Sequence, residues 1–267
     1  MSRPVKQVEY NVAIRDATRG QNLRFAVLAD LHACTHFMPL GRVTSIVEQI
    51  NETQPDVVLL LGDYSGHVVG SRSLDAVSVA AELGRLEANH GVFAVFGNHD
   101  WRDDPQARAA GQPTRWHRAI ESEGITCLCN AVMRMPPPWH YLQIAGLESK
   151  SANLVRRDRT RPGFDDLTAV DRALEPADPI ILLAHEPDIF PDLPDHFDLT
   201  ISGHTHGGQI LPFGKPWVVP SKYGARYAYG HIREGKKQLV VSGGLGYSGI
   251  PIRFRRPPEI NMIEVRL

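Results

Sequence analysis

The chain has 267 residues, with 29 Lys and Arg against 30 Asp and Glu, and its formal net charge of -1 gives no general attraction for nucleic acid. An apolar fraction of 42% with 22% charged residues in near balance can fill a sizeable core and excludes the composition of a disordered chain. Three cysteines cannot build a disulfide framework, and Cys127 and Cys129 lack the second pair that a zinc knuckle requires.

Residues 1–16 hold no apolar run of signal-peptide length, and no stretch approaches the ~20 apolar residues of a spanning helix. A cytoplasmic setting with at most peripheral membrane contact is the expectation. Residues 24–29 read as a strand, followed by a helix in which Val43, Ile46, Val47 and Ile50 share a face. Residues 56–61 read as a second strand and 91–96 as a third. Between them Ala76, Val77, Ala80, Leu83 and Leu86 suit one helix face. This is the βαβ unit repeated, which predicts parallel buried strands with their carboxyl ends on one edge.

Further on, a short helix through Trp116 and Ile120 leads to a strand at 125–128. A break at Pro136, Pro137 and Pro138 precedes a strand near 141–145. Residues 148–166 lack apolar periodicity and read as a surface loop, whose Arg156, Arg157, Arg159 and Arg161 could meet an anionic substrate. A brief helix near 167–174 feeds strands at 180–184 and 198–202, and the Gly-, Pro- and aromatic-rich residues 203–235 suggest an extended loop or hairpin region. Alternation at 238–242 and 260–267 predicts antiparallel strands with one solvated side. No linker or composition shift divides the chain, so residues 1–267 are expected to form one domain.

Polar, metal-competent residues follow five of these strands directly. The first runs into Asp30 and His32, the second into Gly62-Asp63, and the third into Gly97-Asn98-His99-Asp100. The later two run into His185 and into Gly203-His204-Thr205-His206. Ligands of open α/β sheets bind beyond the carboxyl ends of strands, so these clusters should converge. Each alone has an ordinary explanation as a turn or cap. Seven candidate ligands at the same end of separate strands do not.

The ordered set Asp30-x-His32, Gly62-Asp63, Gly97-Asn98-His99-Asp100, His185 and Gly203-His204-x-His206 resembles the calcineurin-like metallophosphoesterases. The segment from Gly203 to Gln209, with a tail containing Gly244-Leu245-Gly246, Pro251-Ile252-Arg253 and Pro258-Glu259-Ile260, is similar to the bacterial YkuE/YaeI-type branch. One departure lies beside the first motif, where Ala33-Cys34-Thr35 replaces the usual early Gly. The resemblance implies a four-layer α/β/β/α sandwich of two mixed sheets flanked by helices.

It also implies two divalent ions. Asp30, His32 and His206 would hold one, Asn98, His185 and His204 the other, and Asp63 would bridge. Oxygen and nitrogen ligands without thiolate favour Mn, Fe or Zn. The implied reaction is hydrolysis of a phosphodiester or pyrophosphate-type bond by hydroxide shared between the ions. His99 would be the general acid, with Asp100 orienting it or stabilising its charged form. The substrate would be a small phosphate ester, for example a nucleotide-sugar or lipid-like diester. A phosphomonoesterase, a nuclease and a catalytically silent scaffold are the alternatives.

Around this set, Arg253 is a candidate phosphate contact or a surface ion pair. Tyr64, His67 and Gln209 would line the pocket or support ligands, Cys34 reads as a packed thiol, and Trp139 and Trp217 read as packing. His36, His90, His117, His140, His196 and His231 have no motif context.

Overall fold

The computed structural model describes residues 5–15, 22–153 and 162–267. Two six-stranded sheets face one another. The first is ordered β1 (Lys6–Ala13), β14 (Glu259–Arg266), β2 (Asn22–Leu28), β3 (Val57–Leu60), β5 (Val92–Ala94) and β6 (Thr126–Cys127). The second is ordered β11 (Gly230–Glu234), β12 (Lys237–Val241), β10 (Leu199–Ser202), β9 (Ile180–Leu183), β8 (Gln143–Gly146) and β7 (Ala131–Arg134). A small pair joins β4 (His67–Val68) to β13 (Ser248–Gly249).

Alternate residues of the central strands serve different layers, because successive side chains of a strand point to opposite faces. Phe25 and Val27 of β2, Val57 and Leu59 of β3, Ile181 and Leu183 of β9, and Leu199 and Ile201 of β10 fill the space between the sheets. Ala26, Leu28, Val58 and Leu60 face outward under helices α1 (Leu40–Asn51), α2 (Ala76–Leu83) and α5 (Arg115–Ser122). Ile180 and Leu182 face the opposite outer layer, with α6 (Leu167–Ala173) and a 3-10 turn over Pro187–Asp192. The result is the expected α/β/β/α sandwich. Two short helices, α3 (Asn98–Arg102) and α4 (Pro105–Ala110), follow β5.

Strands β2, β3, β5 and β6 are parallel, as are β8, β9, β10 and β12. The expected βαβ repeat and helix α1 are therefore present, with Val43, Ile46, Val47 and Ile50 buried.

Two expectations need correction. On α2 the buried face is Ala76, Val79, Ala80 and Leu83, whereas Val77 is exposed and Leu86 lies past the helix end. The C-terminal strands are not solvated on one side. β12 is antiparallel to β11 and β14 to β2, as expected, but β12 also lies parallel to β10 and β14 to β1, and Glu259 and Asn261 are buried beside the apolar residues of β14. Residues 203–235 run through an extended loop into edge strand β11, which forms a hairpin with β12, as expected. β1, not expected as a strand, pairs along its whole length with β14, and its polar alternation is that of an edge. Arg156, Arg157, Arg159 and Arg161 lie outside the described residues.

Candidate metal centre

The carboxyl ends of β2, β3, β5, β9 and β10 converge between the sheets. There Asp30, His32, Asp63, Asn98, His185 and His206 are buried, and His204 is partly buried. Ligand-type atoms of Asp30, His32 and His206 lie within 4.8 Å of one another, as do those of Asp63, His185 and His204. Asp63 Oδ2 stands between the groups, 3.6 Å from His32 Nε2 and 3.3 Å from His185 Nε2.

Holding these side chains together costs local backbone strain. Asp30, His32, Asp63, His204 and His206 all have positive φ, between 46° and 69°, where residues bearing a Cβ are disfavoured. Gly97 permits the closest approach. A Cβ there would lie 2.2 Å from Asp63 Oδ1. The absence of an early Gly after His32 is met from the facing loop, where Gly66 lets Ala33 O and Cys34 approach its backbone. Cys34 itself is a packed, buried thiol, as expected.

Proton placement tests whether these residues suit cations. His32 Nδ1 lies 2.9 Å from Ser65 O, His185 Nδ1 2.7 Å from Leu61 O, and His204 Nε2 3.0 Å from Pro220 O. A carbonyl only accepts, so each ring carries its proton on that nitrogen and, when neutral, turns a lone pair inward. The inward atoms face one another: His32 Nε2 is 3.1 Å from His206 Nε2, and His204 Nδ1 is 3.2 Å from His185 Nε2. The Asn98 amide faces His204 Nδ1: with its nitrogen there, at 2.9 Å, it donates to the imidazole while its oxygen accepts from Arg102 and the His99 backbone N–H, and with its oxygen there it offers a ligand to a cation. Ring nitrogens and carboxylate oxygens gathered this closely form a donor set for cations once the protons between them are displaced.

Electrostatics agree. Burial, then the Asp63 charge against the opposing pull of His185, pushes Asp30 up to about 7. Burial and Asp63 likewise push Asp100 up to about 7. Burial lowers His32, His204 and His206, keeping them neutral. Although burial opposes it, the Asp63 charge holds a proton on His185, which a cation would displace. Three crowded carboxylates and neutral imidazoles suit divalent ions.

His206 differs from the other rings: Arg253 Nη2 donates to its Nδ1 at 2.9 Å, so the neutral ring carries its proton on Nε2, where it faces the lone pair of His32 Nε2. Arg253 is buried and also donates to Gly243 O and Gly246 O. It is neither a surface ion pair nor turned outward to meet a substrate; it positions His206. Asp100 also needs correction. Its carboxylate accepts from the backbone N–H groups of Asp63, Ser65 and Gly97 at 2.8–3.0 Å, which braces the Asp63 loop rather than orienting the His99 ring.

His99 is partly buried, its N–H donates to Asp63 Oδ1, and its ring lies 5.0 Å from that of exposed His67. Burial, against the pull of Asp63, lowers the His99 imidazole to about 3. Tyr64 is buried and donates to Val95 O, so it supports the core instead of lining a pocket. Gln209 clamps Ser248 and Ile250. Trp139 packs as expected, but Trp217 is exposed.

A buried network beside α3 had no sequence signal except polar residues in apolar surroundings. Glu148 takes hydrogen bonds from Trp101 Nε1 at 2.8 Å and His117 Nε2 at 3.0 Å, with Thr114 against His117 Nδ1. His117, Cys129 and Glu148 also have ligand-type atoms within 4.8 Å, but protons account for these contacts and burial pushes the Cys129 thiol up. For Glu148, burial is outweighed by the bond and charge of His117 and by bonds from Cys129 and Trp101, which hold its carboxyl below the usual range. Its contribution is therefore present above the ordinary carboxyl pKa and lost as pH falls through the lowered folded value. Glu148→Gln should cost about 1.5–3 kcal/mol at pH 7. Urea midpoints should show that deficit shrinking in acid; a deficit unchanged between neutral and strongly acidic pH would remove the assignment.

Residues 23–208 match the calcineurin-like phosphoesterase family, and the chain belongs to that family. It is 31% identical over 248 residues to phosphodiesterase YaeI of Escherichia coli, covering 89% of this chain and 80% of that protein. It is 30% identical over 251 residues to an uncharacterized metallophosphoesterase of Helicobacter pylori, covering 92% of this chain and 60% of the relative. A Danio rerio transmembrane protein with metallophosphoesterase domain is 29% identical over 275 residues, covering 99% of this chain and 58% of the relative. The chain thus spans about three fifths of the length of these last two. A solved dimetal phosphatase from Danio rerio shares the fold at a TM-score of 0.50 and 11% identity, covering 83% of this chain and 87% of that one.

Proposed function

We propose that residues 1–267 act as a single metallophosphoesterase domain that hydrolyses a phosphodiester or pyrophosphate-type bond in a small substrate. The inward ring nitrogens of His32, His185 and His204 around Asp63 carry this reading, with His185 giving up to a cation the proton that Asp63 holds on it. Asp30, His32 and His206 would hold one ion of Mn, Fe or Zn type, and Asn98, His185 and His204 the other, with Asp63 shared. Such a pair, when bound, supplies a nucleophile at neutral pH and offsets phosphoryl charge. The name of the Escherichia coli relative favours a diester over a monoester.

In this reading the protein groups set geometry and protonation. Asp100 holds the Asp63 loop, Arg253 holds His206, and the carbonyls of Ser65, Leu61 and Pro220 select the tautomers. His99 is neutral in the free protein. An anionic phosphoryl group beside it would raise its affinity for a proton and let it protonate the leaving oxygen. His99→Asn should then cost about 10²–10⁴-fold on esters with poor leaving groups and far less on p-nitrophenyl esters. Equal losses on both would remove His99 from the acid role.

A further inference from the structure

Eight large apolar side chains are exposed among the described residues, and all but Val77 collect on three loops beside the metal centre. Phe213, Trp217 and Val218 lie on the loop after His206. Ile250, Ile252 and Phe254 flank Arg253, and Val69 follows His67. The loops are joined. Leu211 N–H donates to Phe254 O, Trp217 N–H to Ile210 O and Val69 N–H to Gly249 O, while Gln209 clamps Ser248 and Ile250. Phe213 is 98% exposed on a turn with φ of 55°, an outward tip rather than part of a flat face.

Charge is segregated on the same loops. Residues 64–74, 209–230 and 247–258 contain no Asp or Glu, although the chain as a whole is nearly neutral. They carry exposed Arg72, Lys215 and Arg255, whereas Lys222 and Arg226 are paired with Asp192 and Glu234. Protruding Phe and Trp among basic residues match an anionic membrane interface, where rings enter the headgroup region and cations meet lipid phosphates.

We propose that these loops dock on an anionic lipid bilayer and present the metal centre to a phosphodiester or pyrophosphate carried by a membrane lipid. The substrate part rests on the phosphoesterase reading above. Two contacts connect surface and centre: Pro220 O accepts from His204 Nε2, and Arg253 meets His206. Exposed His67, next to β4 residue Val68 and Val69, brings the rim to His99. No helix among the described residues is long and apolar enough to cross a membrane.

Trp217 supplies the test, because Trp101, Trp116 and Trp139 are buried. Vesicles of phosphatidylglycerol and phosphatidylcholine should blue-shift tryptophan emission and pellet the protein, and phosphatidylcholine alone should do so weakly. The Phe213→Ser/Val218→Ser double variant should weaken binding at least about tenfold, and Lys215→Glu/Arg255→Glu should remove the preference for the anionic lipid. Turnover of bis(p-nitrophenyl) phosphate, measured in parallel, separates the two readings. Turnover without vesicle binding overturns the docking surface alone. Binding without turnover of soluble or vesicle-borne esters overturns the enzyme and leaves the surface. A concentration-dependent Trp217 shift without lipid would assign the surface to a second copy and overturn the proposal.

Discussion

Asp63→Asn is expected to lower turnover of bis(p-nitrophenyl) phosphate by about 10³-fold or more and to lower bound metal with it. One oxygen of Asp63 faces the inward nitrogens of both His32 and His185, and the other accepts from His99 N–H. The amide keeps the size of the carboxylate but removes its charge and places a donor on one of these positions. A shared carboxylate is the least replaceable part of a paired-ion site. Elemental analysis and turnover on one preparation check this, and an Asp63→Asn protein with normal metal and rate would remove the bridging role.

Gly97→Ala should be nearly as damaging, although Gly97 bears no functional group. Its φ of -99° is open to alanine, so the cost is steric. The added methyl would sit 2.2 Å from Asp63 Oδ1 and 2.7 Å from Asp63 N. Either Asp63 moves, losing its bonds to His99 and Asp100, or β5 and the following turn move away. Overpacking of this kind costs about 1–3 kcal/mol, and displacement of the carboxylate should lower turnover by about 10²-fold or more. Gly41→Ala is the control. No atom lies within 4 Å of the added methyl, and Gly41 is in α1, so it should stabilise by up to about 1 kcal/mol. Thermal melts and metal content separate the cases; equal behaviour of the two variants would exclude the steric explanation.

Much of the molecule was legible where one physical cause dominates. Apolar runs such as 57–60 are strands buried on two faces, and Val43, Ile46, Val47 and Ile50 repeat at helical spacing. The polar residues after each strand could be gathered in advance because parallel strands share an edge. Legibility failed where partners are distant. β14 alternates and so reads as half-solvated, but Ile260 and Met262 pack under the helices, Ile263 and Val265 pack between the sheets, and buried Glu259 accepts from Gly243 N–H and Asn261 Nδ2.

Arg253 looked like a substrate or surface cation because its acceptors, two glycine carbonyls and His206, depend on a tertiary loop. Asp100 followed His99 in sequence, yet its side chain turns to three backbone donors. Trp217 looked like core by residue type, whereas the proline- and glycine-rich loop around it holds the ring outward. Sequence position predicted well which side chains converge at the strand ends. It predicted orientation poorly in loops.

The most direct test of the metal centre is metal content and diester turnover before chelation, after chelation and after return of Mn or Zn. The gathering of ring nitrogens and carboxylates around Asp63 predicts about two ions per chain, loss of turnover on chelation and its recovery with metal. Full turnover by a chelated chain containing no metal would contradict it.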